Sequence, residues 1–252
     1  MCTLAVYRHV SPLYPLVVVA NRDEFLARPS APPSLWPGDG GIVAGTDLVA
    51  GGTWLGCRRD GTGRVVGVLN RRPEATVLAS GPGELSRGAL CVDALRAQSV
   101  EDFVPTLNPQ TVARYGGFSL FIADLRGALV VNNGAGTCRI DLPLGLSVLT
   151  NLDVNDSRCP RLTGAAARLA QVAPLLASGA EAEELVTSLA SVQGSHQANG
   201  DDSPLSKTCI HAPNYGTRSS SMILVGSDGR VRYFHADGPP CSVPFSEVEL
   251  GK

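Results

Sequence analysis

The earliest chemistry in the chain sits at its second residue. Cys2 follows a methionine in "MCTLAVY", and methionine aminopeptidase removes Met1 when the next residue is small. A thiol and a free α-amine would then share one residue. An α-amine has a reference pKa of roughly 7.7 to 8, so burial or a neighbouring charge leaves it largely neutral near physiological pH. It can then act as general base for its own thiol, which is the chemistry of an N-terminal nucleophile. Such a site needs a carboxylate to orient the amine, a cation to favour the thiolate, and donors for the oxyanion formed when the thiol attacks an amide. The apolar run Leu16 to Ala20 ends in Asn21, Arg22, Asp23 and Glu24. Asp23 and Arg22 answer the first two needs. The plainer alternative makes Cys2 a small apolar residue of a first strand and the tetrapeptide a solvated strand end.

The elements that must position these groups are legible in the apolar pattern. Thr3 to Arg8 and Leu16 to Ala20 read as two strands joined by a Ser-Pro turn, with apolar residues at consecutive positions, as in strands buried on both faces. Paired as a hairpin, they carry Arg22 and Asp23 to the end that holds Cys2. "GGTWLGCRRDGTGRVVGVLN" predicts a hairpin of Thr53 to Arg58 against Arg64 to Leu69, turning at Asp60-Gly61. A helix follows in "GPGELSRGALCVDALRAQ", with Gly83 and Glu84 at its N-terminus. Phe118 to Ala123, Ala128 to Val131, Arg139 to Ile140 and Leu146 to Thr150 form a second group of strands. Two more helices follow in "PRLTGAAARLAQVAPLLAS", interrupted at Pro174, and "EAEELVTSLASV". After a polar stretch, Gly194 to Ser206, a last hairpin pairs Ser221 to Val225 with Arg230 to Phe234. Hairpins, then helices, then hairpins predict an α+β fold of antiparallel sheets with helices outside them, in a single domain with one substantial core.

Composition narrows the partners. A formal charge of -2 over 252 residues, with both signs interspersed, provides no strip for nucleic-acid phosphates and no polybasic patch for anionic lipid. No run is long enough for stable membrane insertion. The apolar run before Asn21 is too short for a signal peptide. Seven scattered cysteines without a C-x-x-C predict neither a disulfide framework nor a zinc site, and they fit a reducing cytoplasm. Asp153 and Asn155 resemble the start of a calcium loop but lack its glycine and closing glutamate. No metal and no obligatory cofactor is expected.

Several stretches together resemble one family. "MCTLAVY", "ANRDEFLARPS", "LVAGGTWLG", "GFSLFIADL", "GLSVLTNLD" and "YGTRSSSMILVGSDGRVRYF" look like the Transport and Golgi organisation 2 family, also called NRDE proteins after the tetrapeptide seen here at Asn21 to Glu24. The resemblance implies the N-terminal nucleophile hydrolase superfamily and its four-layer αββα sandwich of two antiparallel sheets flanked by helices. It also implies binding roles for Asn21 and Arg218, the latter being either an anion-binding residue or a surface arginine beside a strand.

More distantly, "MCT", "GVLN" and "SVLTN" are similar to segments of penicillin V acylases and bile salt hydrolases. That likeness implies Cys2 as nucleophile, with the Asn151 side chain and the Asn70 backbone amide binding the oxyanion. In those acylases the matching Arg and Asp are separated by intervening residues, unlike Arg22 and Asp23. Within the closer family, the segment "LDVNDSRCPRL" lacks the usual aromatic residue and lysine.

Two functions follow as expectations. One is an amidohydrolase acting on a small-molecule substrate through Cys2. The other is a carrier, since members of the family are implicated in haem trafficking and in lipid or acyl-CoA metabolism. For haem, Cys2, Met222, Tyr215 and the histidines are the candidate iron ligands.

Overall fold

The computed structural model describes residues 2–36, 38–71, 83–134, 137–198 and 203–249. Met1, and with it the expected removal of that residue, lies outside them. In chain order the strands are β1 (Thr3–Arg8), β2 (Leu16–Phe25), β3 (Ser30–Leu35), β4 (Ile42–Asp47), β5 (Leu55–Arg58), β6 (Val65–Asn70), β7 (Phe118–Ala123), β8 (Ala128–Asn132), β9 (Cys138–Asp141), β10 (Gly145–Leu149), β11 (Tyr215–Val225), β12 (Val231–Ala236) and β13 (Ser246–Glu247). The helices are α1 (Arg87–Arg96), α2 (Val100–Phe103), α3 (Pro109–Val112), α4 (Pro160–Ala170), α5 (Ala173–Ala177) and α6 (Ala182–Gln193). They fall into two compact units, Met1–Arg28 with Pro143–Glu249, and Pro29–Leu142 with Leu250–Lys252.

The first unit is an antiparallel sheet in the order β10-β1-β2-β11-β12-β13. Alternate residues Ala5, Tyr7, Val17 and Val19 share a core with Leu162, Leu169, Leu176, Leu185 and Leu189 of α4, α5 and α6. Helices of 11 and 12 residues are marginal alone in water. Burial of each leucine, worth about 1.5–3 kcal/mol, therefore holds the helical layer in place. The intervening residues Leu4, Val6, Leu16, Val18 and Ala20 are buried as well, in keeping with the unbroken apolar runs. Pro174 does interrupt the helical segment. It stands in the first turn of α5, where a missing N–H leaves no bond unmade.

β2 does not stop at Ala20. It continues to Phe25 because β11 is equally long, and the two pair as far as Phe25 opposite Tyr215. Asn21, Arg22 and Asp23 are all buried, so the solvated strand end is excluded.

The second unit is a sheet in simple sequential order, β3 through β9. Its β5–β6 hairpin is the one the sequence announces. Strand β3 was not expected, because "SAPPSL" carries Pro32 and Pro33. It is the edge strand, and its register slips between Ala31 and Ser34, so neither proline has to supply a ladder bond. Leu90, Ala94 and Leu95 of α1 pack on Ile42, Val66, Val68 and Leu120. That helix starts at Arg87, later than Gly83 and Glu84, because the Ser86 hydroxyl accepts from Gly88 N–H and caps it.

His235 on β12 is buried, with Nδ1 2.9 Å from the Ser221 hydroxyl of β11. Burial lowers its pKa from the ordinary 6.5 to about 4. The unfolded chain therefore takes up a proton before the folded one does, and stability falls as pH drops from about 6.5 towards 4, by up to the order of 3 kcal/mol. Urea unfolding at pH 7 and pH 5 should show this loss, and His235→Gln should remove most of the difference. An unchanged slope in the variant would mean that another group carries it.

Candidate functional site

β1 pairs with β2 through Thr3 opposite Asn21, and with β10 through Leu4 opposite Leu149. Continuing both registers one step past β1 sets Cys2 opposite Arg22 on one side and opposite Asn151 on the other. Directly opposed antiparallel residues have Cα atoms about 5 Å apart and project to the same face. Cys2 and Arg22 thus share the face that carries Leu4, Val18 and Ala20, and the same register carried past the end of β10, into the bend that holds Asn151, would add that residue to the row.

Within that row Cys2 is partly buried, its thiol 3.9 Å from the Asp23 carbonyl oxygen. Burial pushes the thiol above its ordinary pKa, and Arg22 is among the charges that oppose this. Arg22 is itself buried, and its Nη1 meets no hydrogen-bond acceptor among the described residues. A buried guanidinium beside a thiol favours the thiolate. Asn151 is buried immediately beyond β10.

Asp23 follows Arg22 and so points to the opposite face, towards the helices. There it is not the partner of Arg22. Its Oδ2 lies 2.6 Å from Nη1 of Arg161 in the first turn of α4, with both side chains almost wholly out of water. Arg161 also donates from Nη2 to the Cys2 carbonyl, 3.3 Å away. The Thr217 hydroxyl donates to Asp23 Oδ1 at 2.7 Å, and the Tyr215 hydroxyl to the Asp23 carbonyl at 2.9 Å. Burial pushes the Asp23 carboxyl upward, and the Arg161 charge is the main force pulling it back.

Arg161, Thr217 and Tyr215 were not singled out by their spacing. Arg161 lies in "LDVNDSRCPRL", the segment that departs from the family pattern, and only the fold brings it 138 positions back to Asp23. The same segment covers the outer edge of β10, where Asn155 accepts from Val148 N–H through its side chain and donates to the Val148 carbonyl.

The other expected residues have the following surroundings. Asn21 braces β2 against the end of α6: Nδ2 donates to the Gln193 and Thr208 carbonyls, and Oδ1 accepts from Gln193 Nε2. Arg218 occupies the irregularity where the β2–β11 register shifts between Thr217 and Ser219. It is half-buried, and its Nε has no acceptor among the described residues. Asn70 closes β6 in the second unit, opposite Phe118. Of the candidate iron ligands, Met222 is enclosed in the apolar core of the first unit, and the Tyr215 hydroxyl is committed to Asp23. The ligand atoms of His196, His211, Cys209 and Cys241 gather at a separate place and could hold a metal ion.

Known proteins resemble this chain in sequence and in fold. Residues 1–237 match the family described as Transport and Golgi organisation 2. The human Transport and Golgi organization protein 2 homolog is 30% identical over 247 residues, spanning 87% of this chain and 85% of its own length. The mouse homolog is 28% identical over 249 residues, with the same coverage. Two solved structures share the fold. One is the Caenorhabditis elegans ortholog of N-acylethanolamine-hydrolyzing acid amidase, with a TM-score of 0.55 and 13% identity, over 89% of this chain and 92% of that one. The other is a cysteine-to-alanine mutant of the conjugated bile acid hydrolase from Clostridium perfringens, with a TM-score of 0.53 and 10% identity, over 100% and 98%. The fold is therefore α+β of the N-terminal nucleophile hydrolase type, with two antiparallel sheets and flanking helices.

Removing one member of a buried ion pair leaves the other charge without compensation and costs about 3–5 kcal/mol, whereas replacing both with apolar residues is often close to neutral. Arg161→Leu and Asp23→Leu should each lower the unfolding free energy by that order, and the double variant should lose clearly less than the sum. Chemical denaturation of the four proteins measures this. Additive losses would mean that the two groups act separately.

Proposed function

The chain belongs to the Transport and Golgi organisation 2 family, and from that premise and the register around Cys2 we propose a cysteine N-terminal nucleophile hydrolase that cleaves non-peptide C–N amide bonds of a small molecule. The observation that carries this reading is Cys2 set beside the buried Arg22, with its carbonyl held by Arg161 of the buried Asp23–Arg161 pair. Once Met1 is removed, the Cys2 amine takes the thiol proton while Arg22 favours the thiolate. The sulfur attacks the amide carbon, and the Asn151 amide donates to the oxyanion. The tetrahedral intermediate collapses, the ammonium returns its proton to the departing amine, and an acyl-Cys2 thioester remains. Water activated by the same amine then releases the acid. Asp23 orients the amine, and Arg161 keeps that carboxyl charged and in place.

Support also comes from the fold shared with the ortholog of an N-acylethanolamine-hydrolyzing acid amidase and with a conjugated bile acid hydrolase. The carrier alternative, handling haem or acyl-CoA, differs in what Cys2 does. There its sulfur ligates iron, or has no part in binding.

Intact mass should find Met1 absent and, after treatment with an activated ester or amide, one acyl group on Cys2. Cys2→Ala should abolish acylation. Retained Met1, an unreactive Cys2, and a saturable haem absorption shift surviving in Cys2→Ala would together replace the hydrolase with the carrier.

Asn151→Ala should lower turnover of any substrate so identified by about 10²-fold or more, with a smaller change in affinity, as loss of an oxyanion donor does. A loss confined to affinity would make Asn151 a substrate contact instead.

A further inference from the structure

Apart from the Cys2 row, the first unit gathers a second set of reactive side chains. Those of His196, Cys209, His211 and Cys241 bring their ligand atoms within 4.8 Å of one another. Cys209 Sγ lies 3.7 Å from Cys241 Sγ and 3.6 Å from His211 Nε2, and His211 Nε2 lies 3.2 Å from Cys241 Sγ. The His196 and His211 rings are 5.1 Å apart at their centroids and steeply inclined to each other. A zinc ion with Zn–S bonds of about 2.3 Å and Zn–N bonds of about 2.0–2.1 Å in a tetrahedron sets its sulfurs about 3.8 Å apart and each sulfur about 3.6 Å from a nitrogen. The sulfur–sulfur separation and one sulfur–nitrogen separation match those edges closely, and the other falls a few tenths of an ångström short.

The four residues come from three stretches that the fold ties together. His196 follows the end of α6, Cys209 and His211 precede β11, and Cys241 lies beyond β12. Cys209 N–H donates to the Ser195 carbonyl at 3.0 Å. Gly194 lets the last stretch pass across the end of α6, since a side chain there would put its first carbon 3.2 Å from Cys241 Cα. Cys209 is buried, whereas the other three are exposed, so an ion has a route in from solvent.

The geometry points to a structural zinc site in which Cys209 and Cys241 as thiolates and His196 and His211 as neutral imidazoles close a four-coordinate shell. Both thiols give up their protons on binding, and with four protein ligands no position remains open for a substrate. The ion clamps the segment ahead of β11 to the end of α6 and to the segment after β12. That clamp reaches the Cys2 end of the sheet through one residue. Ile210, between two of the ligands, donates its N–H to the Thr217 hydroxyl at 2.9 Å, and this same hydroxyl donates to Asp23.

Elemental analysis of the full-length protein, purified without chelator, should find about one zinc ion per chain. Cys209→Ser and Cys241→Ser should each bring this close to zero, and replacing the exposed Cys138 with Ser should not. Cobalt exchanged into the wild type should show thiolate-to-cobalt charge transfer and the intense visible bands of a tetrahedral ion, both absent from the two serine variants. Should those variants fail to fold, chelator treatment of the wild type supplies the same test: the midpoint of thermal unfolding falls and added Zn²⁺ restores it. Wild-type protein that takes up neither metal, zinc retained in both serine variants, or a non-reducing peptide map showing a Cys209–Cys241 disulfide would each overturn the assignment.

Discussion

A carboxylate and a guanidinium almost wholly removed from water, Asp23 and Arg161, hold the functional end of the first unit together. Stability does not account for such a pair, since well-packed apolar residues in the same space are often as stable or more so. Direction does. Arg161 spends one nitrogen on Asp23 and another on the Cys2 carbonyl, so the start of α4 is locked to the ends of β1 and β2. Thr217 and Tyr215 add β11 to the same knot. A charge that must be met in one geometry excludes neighbouring arrangements that an apolar contact would tolerate.

The row on the other face depends on that knot. Side chains alternate along a strand, so a slip of one residue between β1 and β2 would turn Cys2 towards the helices and bring Thr3 to the opposite face. Apolar residues alone resist such a slip poorly here, because β1 and β2 are buried at successive positions on both faces. The register is fixed by polar side chains that have only one set of partners. Asn21 bonds to Gln193 and Thr208 on one side of the slip-sensitive pair, and Asp23 bonds to Arg161 and Thr217 on the other. Arg22 stands between them on the strand and faces the other way.

Much of this was legible in the sequence. The unbroken apolar runs of β1 and β2, the Asp60-Gly61 hairpin and the break at Pro174 follow from local rules. Reading failed where a residue's role is decided by what lies opposite. β2 continues through four polar residues because β11 is there to pair with them. β3 forms despite two prolines because it has only one neighbour. Arg161 showed no signal, since one arginine after a proline resembles any other until α4 packs beside β2. The same holds for His196, Cys209, His211 and Cys241, whose scattered spacing did not show that their side chains meet. Cys241 comes near Cys209 where its stretch passes close over Gly194 at the end of α6.

The position of β1 between β2 and β10 also has a consequence in time. Made first, it pairs at once with β2, but its other side stays open until the ribosome has passed from residue 8 to residue 149. At 5–20 residues per second that is on the order of ten seconds. Throughout this interval Arg161 has not been made, so it cannot yet hold the Cys2 carbonyl. The Cys2 carbonyl is thus free during synthesis and held by Arg161 afterwards. The length of chain between β1 and β10 thereby sets how long the first strand waits for its second neighbour.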